Sequence, residues 1–256
     1  MKIKTQVAVC AILALALALP FSSGLCQERL YKMTTPLVTP RQMYGTVVLG
    51  DYVYLMGGNI QAKGDSPEGY VVNVERALIN PDGSLGPWQQ TTPLPENRCY
   101  ISNSTLALND IVYVVFGTNG KTNKPSRTIL WTRPLPNGHL EPWRESQPYP
   151  GQGLEMCTAV ATPGYIHIIG GRDHERAVRA EVWTAKLAAD GSVLGWEQGT
   201  TLPQALWFHA SAVAGGRVWT WGGLKSTNVV INEKVFSAPI LSSGKVGEWA
   251  YSGSSL

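Results

Sequence analysis

The chain has 256 residues, enough for one large β domain or two small ones. Only 15% of the residues are charged, and the 27 glycines and 17 prolines are typical of a protein rich in turns. Its 21 basic residues include Lys2 and Lys4 of an N-terminal leader, so 19 basic residues face 18 acidic ones once that leader is removed. Proteins that bind nucleic acids usually carry a strong excess of basic residues. This chain has no such excess, so nucleic-acid binding is not predicted.

The first 26 residues are predicted to be a secretory signal peptide, 1–26. Two lysines precede an unbroken apolar run at 7–21, and small residues follow at 22–24. A membrane-spanning helix needs ~20 apolar residues, so the run is short for an anchor. No transmembrane segment is therefore expected after signal removal, and the predicted location is secreted, periplasmic or at the cell surface.

The cleavage point stays open in the sequence. Cutting after Gly24 and cutting after Cys26 both satisfy the small-residue rule. A lipid anchor at Cys26 is an alternative, although Leu25 fits badly because bacterial lipoproteins prefer a small residue there.

The remaining chain, 27–256, carries an internal repeat. In the stretch PDGSLGPW, Pro81–Trp88, a glycine stands five positions before a tryptophan, and the spacing recurs with Trp-to-Trp intervals of 55, 53 and 53 residues. A fixed period of this length indicates a protein built from structural repeats. The four pairs are Gly83 with Trp88, Gly138 with Trp143, Gly191 with Trp196, and Gly244 with Trp249.

Each repeat is predicted to form four short antiparallel strands, called a to d. The glycine is expected to make the turn between strands c and d, where a positive φ is needed. The tryptophan on strand d is expected to pack between neighbouring sheets, as the seam between copies of one unit. The predicted repeats span approximately 35–90, 91–145, 146–198 and 199–256, and their second strands end in glycine at Gly58, Gly117, Gly171 and Gly223.

Four-stranded units at a period near 50, marked by paired glycines and a tryptophan, resemble kelch repeats. The resemblance covers residues 27–256, although Phe116 stands where the first glycine of a pair is expected. It implies an all-β fold, a kelch-like β-propeller of four four-stranded antiparallel blades. The family includes the propeller of galactose oxidase and sialic-acid mutarotases.

The number of strands leaves three arrangements open. The segment LYKMTTPL aligns with WQQTTPL and places Tyr31 at the tryptophan position, so the chain has five d segments and four a–b–c sets. The alternatives are a closed four-bladed ring with a spare strand, an arc that a second chain completes as a homodimer, and a fragment of a longer product. The ring is favoured among them.

Two cysteines, Cys99 and Cys157, lie within the repeats. They either form a disulfide, which an oxidising compartment permits, or remain two separate buried thiols. The sequence has neither a C-x-x-C motif nor zinc-ligand spacing, so no metal and no cofactor is predicted.

The resemblance to kelch proteins implies a ligand site at the mouth that carries the d–a and b–c loops. There, arginines could hold the carboxylate of an anionic sugar, because a guanidinium binds a carboxylate through two parallel hydrogen bonds. The alternative is a solvated loop whose charges balance one another. The candidate ligand-binding residues are Arg41, Arg98, Arg172, His174 and His209, of which His209 also suits a structural role at the start of a strand.

The predicted function is a binding or interaction module for a carbohydrate or protein partner. The sequence contains no nucleophile motif, phosphate loop or dinucleotide fingerprint, and it therefore favours a non-enzymatic function. Two alternatives remain: a carbohydrate-active enzyme such as a sialic-acid-mutarotase-like epimerase, and a structural component of a cell-envelope assembly.

Overall fold

The computed structural model describes residues 34–60 and 66–255. The predicted signal peptide, its cleavage site, Cys26 and Tyr31 lie outside the described residues. Within them the only helical element is the 3₁₀ turn Pro67–Gly69, and no helix is long and apolar enough to cross a membrane.

Most strands of the described residues belong to four antiparallel sheets of four strands each, as the repeat predicts. In every sheet the strands lie side by side in chain order. The strands are β1 Gly45–Leu49, β2 Tyr52–Met56, β3 Val74–Leu78 and β4 Gln89–Thr91 in the first sheet; β5 Thr105–Leu108, β6 Ile111–Val115, β7 Ile129–Thr132 and β8 Arg144–Glu145 in the second; β9 Thr158–Thr162, β10 Tyr165–Ile169, β11 Val182–Leu187 and β12 Val193–Gln198 in the third; and β13 Ala210–Ala214, β14 Arg217–Trp221, β15 Lys234–Pro239 and β16 Ala250–Ser255 in the fourth.

Tight turns connect the strands at the positions where the sequence places its turn residues. The first two strands of the second sheet form a two-residue hairpin through Asn109 and Asp110, both at positive φ, and Gly215 and Gly216 do the same in the fourth sheet. This geometry matches the right-handed twist of the strands. The predicted c–d glycines also have positive φ, at 80° for Gly83, 78° for Gly138, 90° for Gly191 and 84° for Gly244.

Three apolar layers, one between each pair of successive sheets, form most of the core. The alternate residues Tyr52, Tyr54 and Met56 of β2 pack against Val112 and Val114 of β6, and the same relation joins β6 to β10 and β10 to β14. Successive side chains of a strand point to opposite faces of the sheet. A sheet with a neighbour on both sides therefore buries every second side chain against one neighbour and the remaining side chains against the other. All five residues of β6 are therefore buried.

A polar contact recurs inside each layer. The hydroxyl of Tyr54 donates to the carbonyl of Gly138 at 2.9 Å, and that of Tyr113 donates to the carbonyl of Gly191 at 3.0 Å. In the third layer, His167 takes the aromatic position and Thr162 donates to the carbonyl of Gly244 at 2.6 Å. We call this arrangement the turn contact: the middle of a second strand meets the turn glycine of the next sheet.

Two of the repeated tryptophans contact the preceding sheet at its outer strand. The indole N–H of Trp143 donates to the carbonyl of Thr92 at 3.1 Å, and that of Trp196 donates to the carbonyl of Gln147 at 3.3 Å; both acceptors follow the outer strand of the preceding sheet. Trp249 is buried, but the other three tryptophans keep part of their surface exposed. Their burial therefore contributes less to stability than that of a fully enclosed indole.

The sheets follow one another in a single series. Strand β1 lies against β5, β5 against β9, and β9 against β13. Among the described residues no contact of similar extent joins β13 back to β1. The arrangement of the series, the number of blades and the repeat bounds stay predictions.

We expect Tyr113→Phe to lower the free energy of unfolding by about 1–3 kcal/mol. The substitution removes only the hydroxyl and leaves the carbonyl of Gly191 without its donor inside a buried layer. Chemical denaturation with fluorescence detection measures the change. Tyr54→Phe is the matched variant in the neighbouring layer and should cost a similar amount. If both variants are as stable as the wild type, the turn contact does not stabilise the seams.

Candidate functional site

One end of the sheets is built from the d–a and b–c loops, which pair with each other beyond all four sheets. Short strands Arg98–Cys99 and Thr118–Asn119 pair next to the second sheet, and Leu154–Glu155 and Arg172–Asp173 pair next to the third. Single bridges from Gln42 to Asn59 and from Trp207 to Leu224 occupy the corresponding places at the first and fourth sheets. We call this end the mouth.

Four equivalent residues at the mouth share an unusual backbone conformation. Met43, Tyr100, Met156 and Phe208 all have φ between 52° and 60°. The left-handed region costs a residue with a side chain roughly 1–2 kcal/mol. Backbone hydrogen bonds link these residues from one unit to the next. The N–H of Met156 donates to the carbonyl of Tyr100 at 3.3 Å, and the N–H of Phe208 donates to the carbonyl of Met156 at 3.0 Å. Repeated strain of this kind often accompanies a functional position.

These residues give the mouth an apolar floor. Tyr100 and Met156 belong to a buried cluster with Tyr70 and Trp207, against which Met43 also packs. The rings of Tyr70 and Tyr100 meet edge to face, with centroids 6.1 Å apart. The centre of the mouth is therefore closed by side chains, and a ligand has to bind above or beside this floor.

A groove of about 470 Å³ lies at the mouth, over the second and third sheets. Ligand pockets for small molecules generally have volumes of ~300–1,000 Å³, so the groove can hold a small ligand. Its walls combine two tyrosines with hydroxyl, amide and charged side chains. The lining residues are Tyr70, Tyr100, Thr118, Thr122, Asn123, Lys124, Pro125, Glu155, Arg172, Asp173, His174 and Arg176.

Arg172 lies in the groove with its guanidinium fixed in place. Its Nε donates to the carboxylate of Glu155 at 2.9 Å, and its Nη2 forms an ion pair with the same carboxylate. The guanidinium also lies 4.2 Å from the ring centroid of Trp207, which adds a cation–π contact. Because the hydroxyl of Thr118 donates to the second oxygen of Glu155, this carboxylate is fully engaged.

The second acid of the groove, Asp173, is also neutralised by its own partners. It is buried, accepts a hydrogen bond from the backbone N–H of Ala177 at 2.9 Å, and is bound by the guanidinium of Arg179, whose Nε lies 2.8 Å away. Both acids of the groove therefore have a cation of their own.

Two further cations line the groove with exposed side chains. Lys124 and Arg176 form no ion pair with any other described residue. His174, which is also exposed, lies beside them. Since Glu155 and Asp173 are already paired, the groove has an excess of positive charge.

Arg41 and Arg98, two of the predicted ligand-binding residues, are not in the lining of the groove. Both side chains are fully buried: Arg41 pairs with Glu75, and Arg98 pairs with Glu96 and donates to the carbonyl of Phe116 at 3.1 Å. Desolvation by burial lowers the pKa of both guanidiniums, and the partner carboxylates oppose this effect. The structure therefore gives them a role in holding the loops.

His209, also predicted at the site, is buried beneath the mouth. Its Nε2 lies 3.1 Å from the hydroxyl of Thr158, and burial lowers its pKa to about 3. His167 is buried as well, with a pKa lowered to about 4 by burial. Both are neutral structural histidines at physiological pH. Of the five predicted residues, only Arg172 and His174 line the groove.

Cys99 and Cys157 are present as buried thiols, not as a disulfide. Burial raises the pKa of the Cys157 thiol to about 12, so its thiolate is disfavoured. Of the two alternatives in the sequence, the structure has the separate thiols. The described residues contain no group of three or more His, Cys, Asp or Glu side chains that could hold a metal ion.

The sequence analysis did not identify several of the residues that line the groove. Tyr70, Tyr100 and Glu155 were not singled out, because their neighbours in the chain carry no motif. The signal that could have found them is the repeat itself: Tyr100 and Glu155 occupy the d–a loops of successive units, which pair at one end of the sheets.

Comparison with solved structures supports the β-propeller-like fold. The structure of YjhT matches with a TM-score of 0.66 and 13% sequence identity over 84% of this chain and 71% of that chain. In all, 220 chains of solved structures match, so the architecture is widespread and does not identify an activity. No protein-family profile matches the sequence, and no curated protein matches it.

The buried histidines predict acid sensitivity. A histidine that stays neutral when folded takes up its proton only on unfolding, so stability is lost as the pH falls from about 6.5 towards 4, by up to ~1.4 kcal/mol per pH unit for each histidine. We expect His167→Gln to make the dependence of unfolding free energy on pH shallower in this interval. Urea denaturation at several pH values measures the slope.

The control for this prediction is His174→Gln, which replaces an exposed histidine. It should leave the slope unchanged. An equal reduction of the slope in both variants would contradict the assignment of the acid sensitivity to burial.

Proposed function

We propose that the protein is an exported, kelch-like β-propeller module that binds an acidic carbohydrate in the groove over the second and third sheets. In this proposal the four sheets are blades, and the mouth formed by the d–a and b–c loops is the binding face. The single observation that carries the proposal is the pairing of both groove acids within the protein, which leaves Lys124 and Arg176 for a ligand.

The charge distribution selects an anionic ligand. A carboxylate or sulfate entering the groove meets Lys124, Arg176 and the edge of Arg172, while Glu155 and Asp173 are already neutralised. Charge-assisted hydrogen bonds to such a group are about twice as strong as neutral ones. Arg172 contributes a rigid position, because Glu155 and the ring of Trp207 hold it on two sides.

The remaining walls suit the rest of a sugar. Tyr70 and Tyr100 close the inner side of the groove with their buried rings, and the exposed Thr122 and Asn123 offer a hydroxyl and an amide that match sugar hydroxyls. Aromatic surface with a few placed polar groups is the usual lining of a small-molecule site. A neutral sugar would use only these walls, so an acidic sugar should bind more tightly.

A carbohydrate-active enzyme of the mutarotase kind is the second candidate, and His174 is the observation that favours it. An exposed imidazole that lines a sugar site can donate or accept a proton. Anomer exchange of an acidic sugar, followed by NMR at micromolar protein, tests this candidate. Acceleration that His174→Asn abolishes would support the enzyme, and an unchanged rate with bound sugar would support the binding module.

We expect the double variant Lys124→Gln/Arg176→Gln to bind acidic glycans about 30- to 1,000-fold more weakly, since each of the two lost charged contacts is worth ~1–2 kcal/mol in a partly solvated groove. A glycan array that contains matched acidic and neutral sugars, followed by calorimetry on the best ligand, measures the effect. Binding of the wild type should also weaken as salt is raised.

Lys121→Gln is the matched control, because Lys121 is exposed in the same loop but does not line the groove. It should bind as the wild type does. Binding that is equal for acidic and neutral sugars, or unaffected by the double substitution, would contradict the proposal, as would a wild type that binds no glycan on the array.

A further inference from the structure

A second cavity, of about 250 Å³, lies at the seam between the second and third sheets, and we call it the seam pocket. It shares no lining residue with the groove. One wall is the loop 149–154, which follows the second sheet, and the other is built by β11 and β12 of the third sheet. Tyr149 and Leu154 line the pocket but are buried, so the surface left for a ligand comes from other side chains. These exposed or partly exposed side chains are Gln152, Arg179, Glu181, Trp183 and Gln198.

The aromatic wall of the seam pocket is a departure from the repeat. The pairing of the third strands with the second strands puts Leu130, Trp183 and Phe236 at the same position in successive sheets. Leu130 and Phe236 are buried in the core layers, whereas Trp183 is only partly buried. Its indole meets the ring of Tyr149 edge to face, with centroids 5.3 Å apart, which fixes its orientation. A position that two other sheets use for core packing therefore presents an aromatic surface here.

The loop on the opposite wall gives this indole its room. The stretch 149–154 is one residue longer than the corresponding stretches 94–98 and 202–206 of the neighbouring units. It also carries Gly151 at the edge of the pocket, where an added Cβ would come 2.5 Å from the ring of Tyr149. The longer loop and its glycine thus leave a space in front of Trp183.

Three polar side chains at the pocket have hydrogen-bonding capacity that the fold leaves unused. The side-chain amides of Gln152 and Gln198 form no hydrogen bond with another described residue. Gln198 lies directly opposite Trp183 on the neighbouring strand, so both side chains are on one face of the sheet. Glu181 accepts one hydrogen bond, from the neighbouring backbone N–H at 3.1 Å. The aromatic surface is therefore bordered by an acceptor and by two amides that both donate and accept.

The charges of the seam pocket balance one another, in contrast to those of the groove. Arg179 uses its Nε and Nη2 to bind Asp173, and its Nη1 lies 3.7 Å from the carboxylate of Glu181. The pocket therefore has no excess of positive charge to attract an anion, and a cation would approach the guanidinium of Arg179. A neutral ligand that carries several hydroxyls avoids both kinds of repulsion and can pair with the unused polar groups.

We propose that the seam pocket is a second ligand site, which binds one unit of a neutral sugar. The apolar face of the sugar ring lies on the indole of Trp183, and its hydroxyls bond to Gln152, Gln198 and Glu181. Aromatic surface with a few placed polar groups is the usual lining of a small-molecule site. The volume of about 250 Å³ is just below the ~300–1,000 Å³ of sites for larger ligands, and it suits a single ring.

Saturation-transfer NMR with glucose, galactose, mannose and N-acetylglucosamine detects binding, and calorimetric titration of the best of these sugars measures its affinity. The wild type should bind at least one of them. Gln198→Ala should weaken this binding about 5-fold through the loss of a hydrogen bond, and Trp183→Leu should weaken it about 10-fold or more through the loss of the aromatic surface. Leucine already occupies the corresponding position in the second sheet, and near-UV circular dichroism verifies that the variant is folded.

Gln90→Ala is the matched control for Gln198→Ala. Gln90 is an exposed glutamine at the corresponding place in the fourth strand of the first sheet, and it does not line the seam pocket. Its variant should bind the neutral sugar as the wild type does. Equal weakening in the two variants would contradict the assignment of the site.

The groove variant Lys124→Gln/Arg176→Gln separates this proposal from the proposed function. It should bind the neutral sugar as the wild type does, whereas Trp183→Leu should retain any binding of acidic glycans. Neutral-sugar binding that is lost in the groove variant and kept in Trp183→Leu and Gln198→Ala overturns the proposal. A wild type that binds none of the four neutral sugars overturns it too. Failure of acidic glycans to bind, with the neutral sugar still bound at Trp183, contradicts only the proposed function of the groove.

Discussion

The fold depends on one interaction, the contact between the second strand of a sheet and the turn glycine of the next. A β-sheet that is apolar on both faces has to be covered on both, and each sheet here supplies the cover for its predecessor. The turn contact fixes the register of that cover, because the hydroxyls of Tyr54 and Tyr113 reach one carbonyl each. Only a glycine allows the backbone to come so close while holding a positive φ.

The seams explain why the mouth has a fixed geometry. Once successive sheets are held in register, their d–a and b–c loops come to the same end and pair there. The strained residues Met43, Tyr100, Met156 and Phe208 then turn the chain inwards at corresponding places. The groove is formed over the second and third sheets, whose two faces are both covered, so its walls rest on the part of the molecule with the most complete packing.

The sequence predicted the repeated sheets because their signals are local: alternating apolar residues, turn glycines and a tryptophan at fixed spacing. It placed Arg172 and His174 in the groove because both lie in one loop. It grouped the buried Arg41 and Arg98 with them, because a buried arginine and an exposed one look alike in a single sequence. The structure shows that Leu154 and Leu206 hold the corresponding positions in the other two units, so this site in the repeat is a core position. Tyr70 and Tyr100 come from loops that are distant in the sequence, so their contact produces no local sequence pattern.

Comparing the units position by position separates residues that the fold requires from residues that are free to serve a ligand. The core position of the d–a loop accepts either a leucine or an arginine, but each arginine comes with its own glutamate, Glu75 for Arg41 and Glu96 for Arg98, because an unpaired buried charge would be strongly destabilising. Such pairs are internal to the scaffold. Lys124 and Arg176 have no corresponding partner among the described residues and lie in loops that differ in length and composition between units. The packing of the loops therefore does not depend on these two charges as it depends on Arg41 and Arg98.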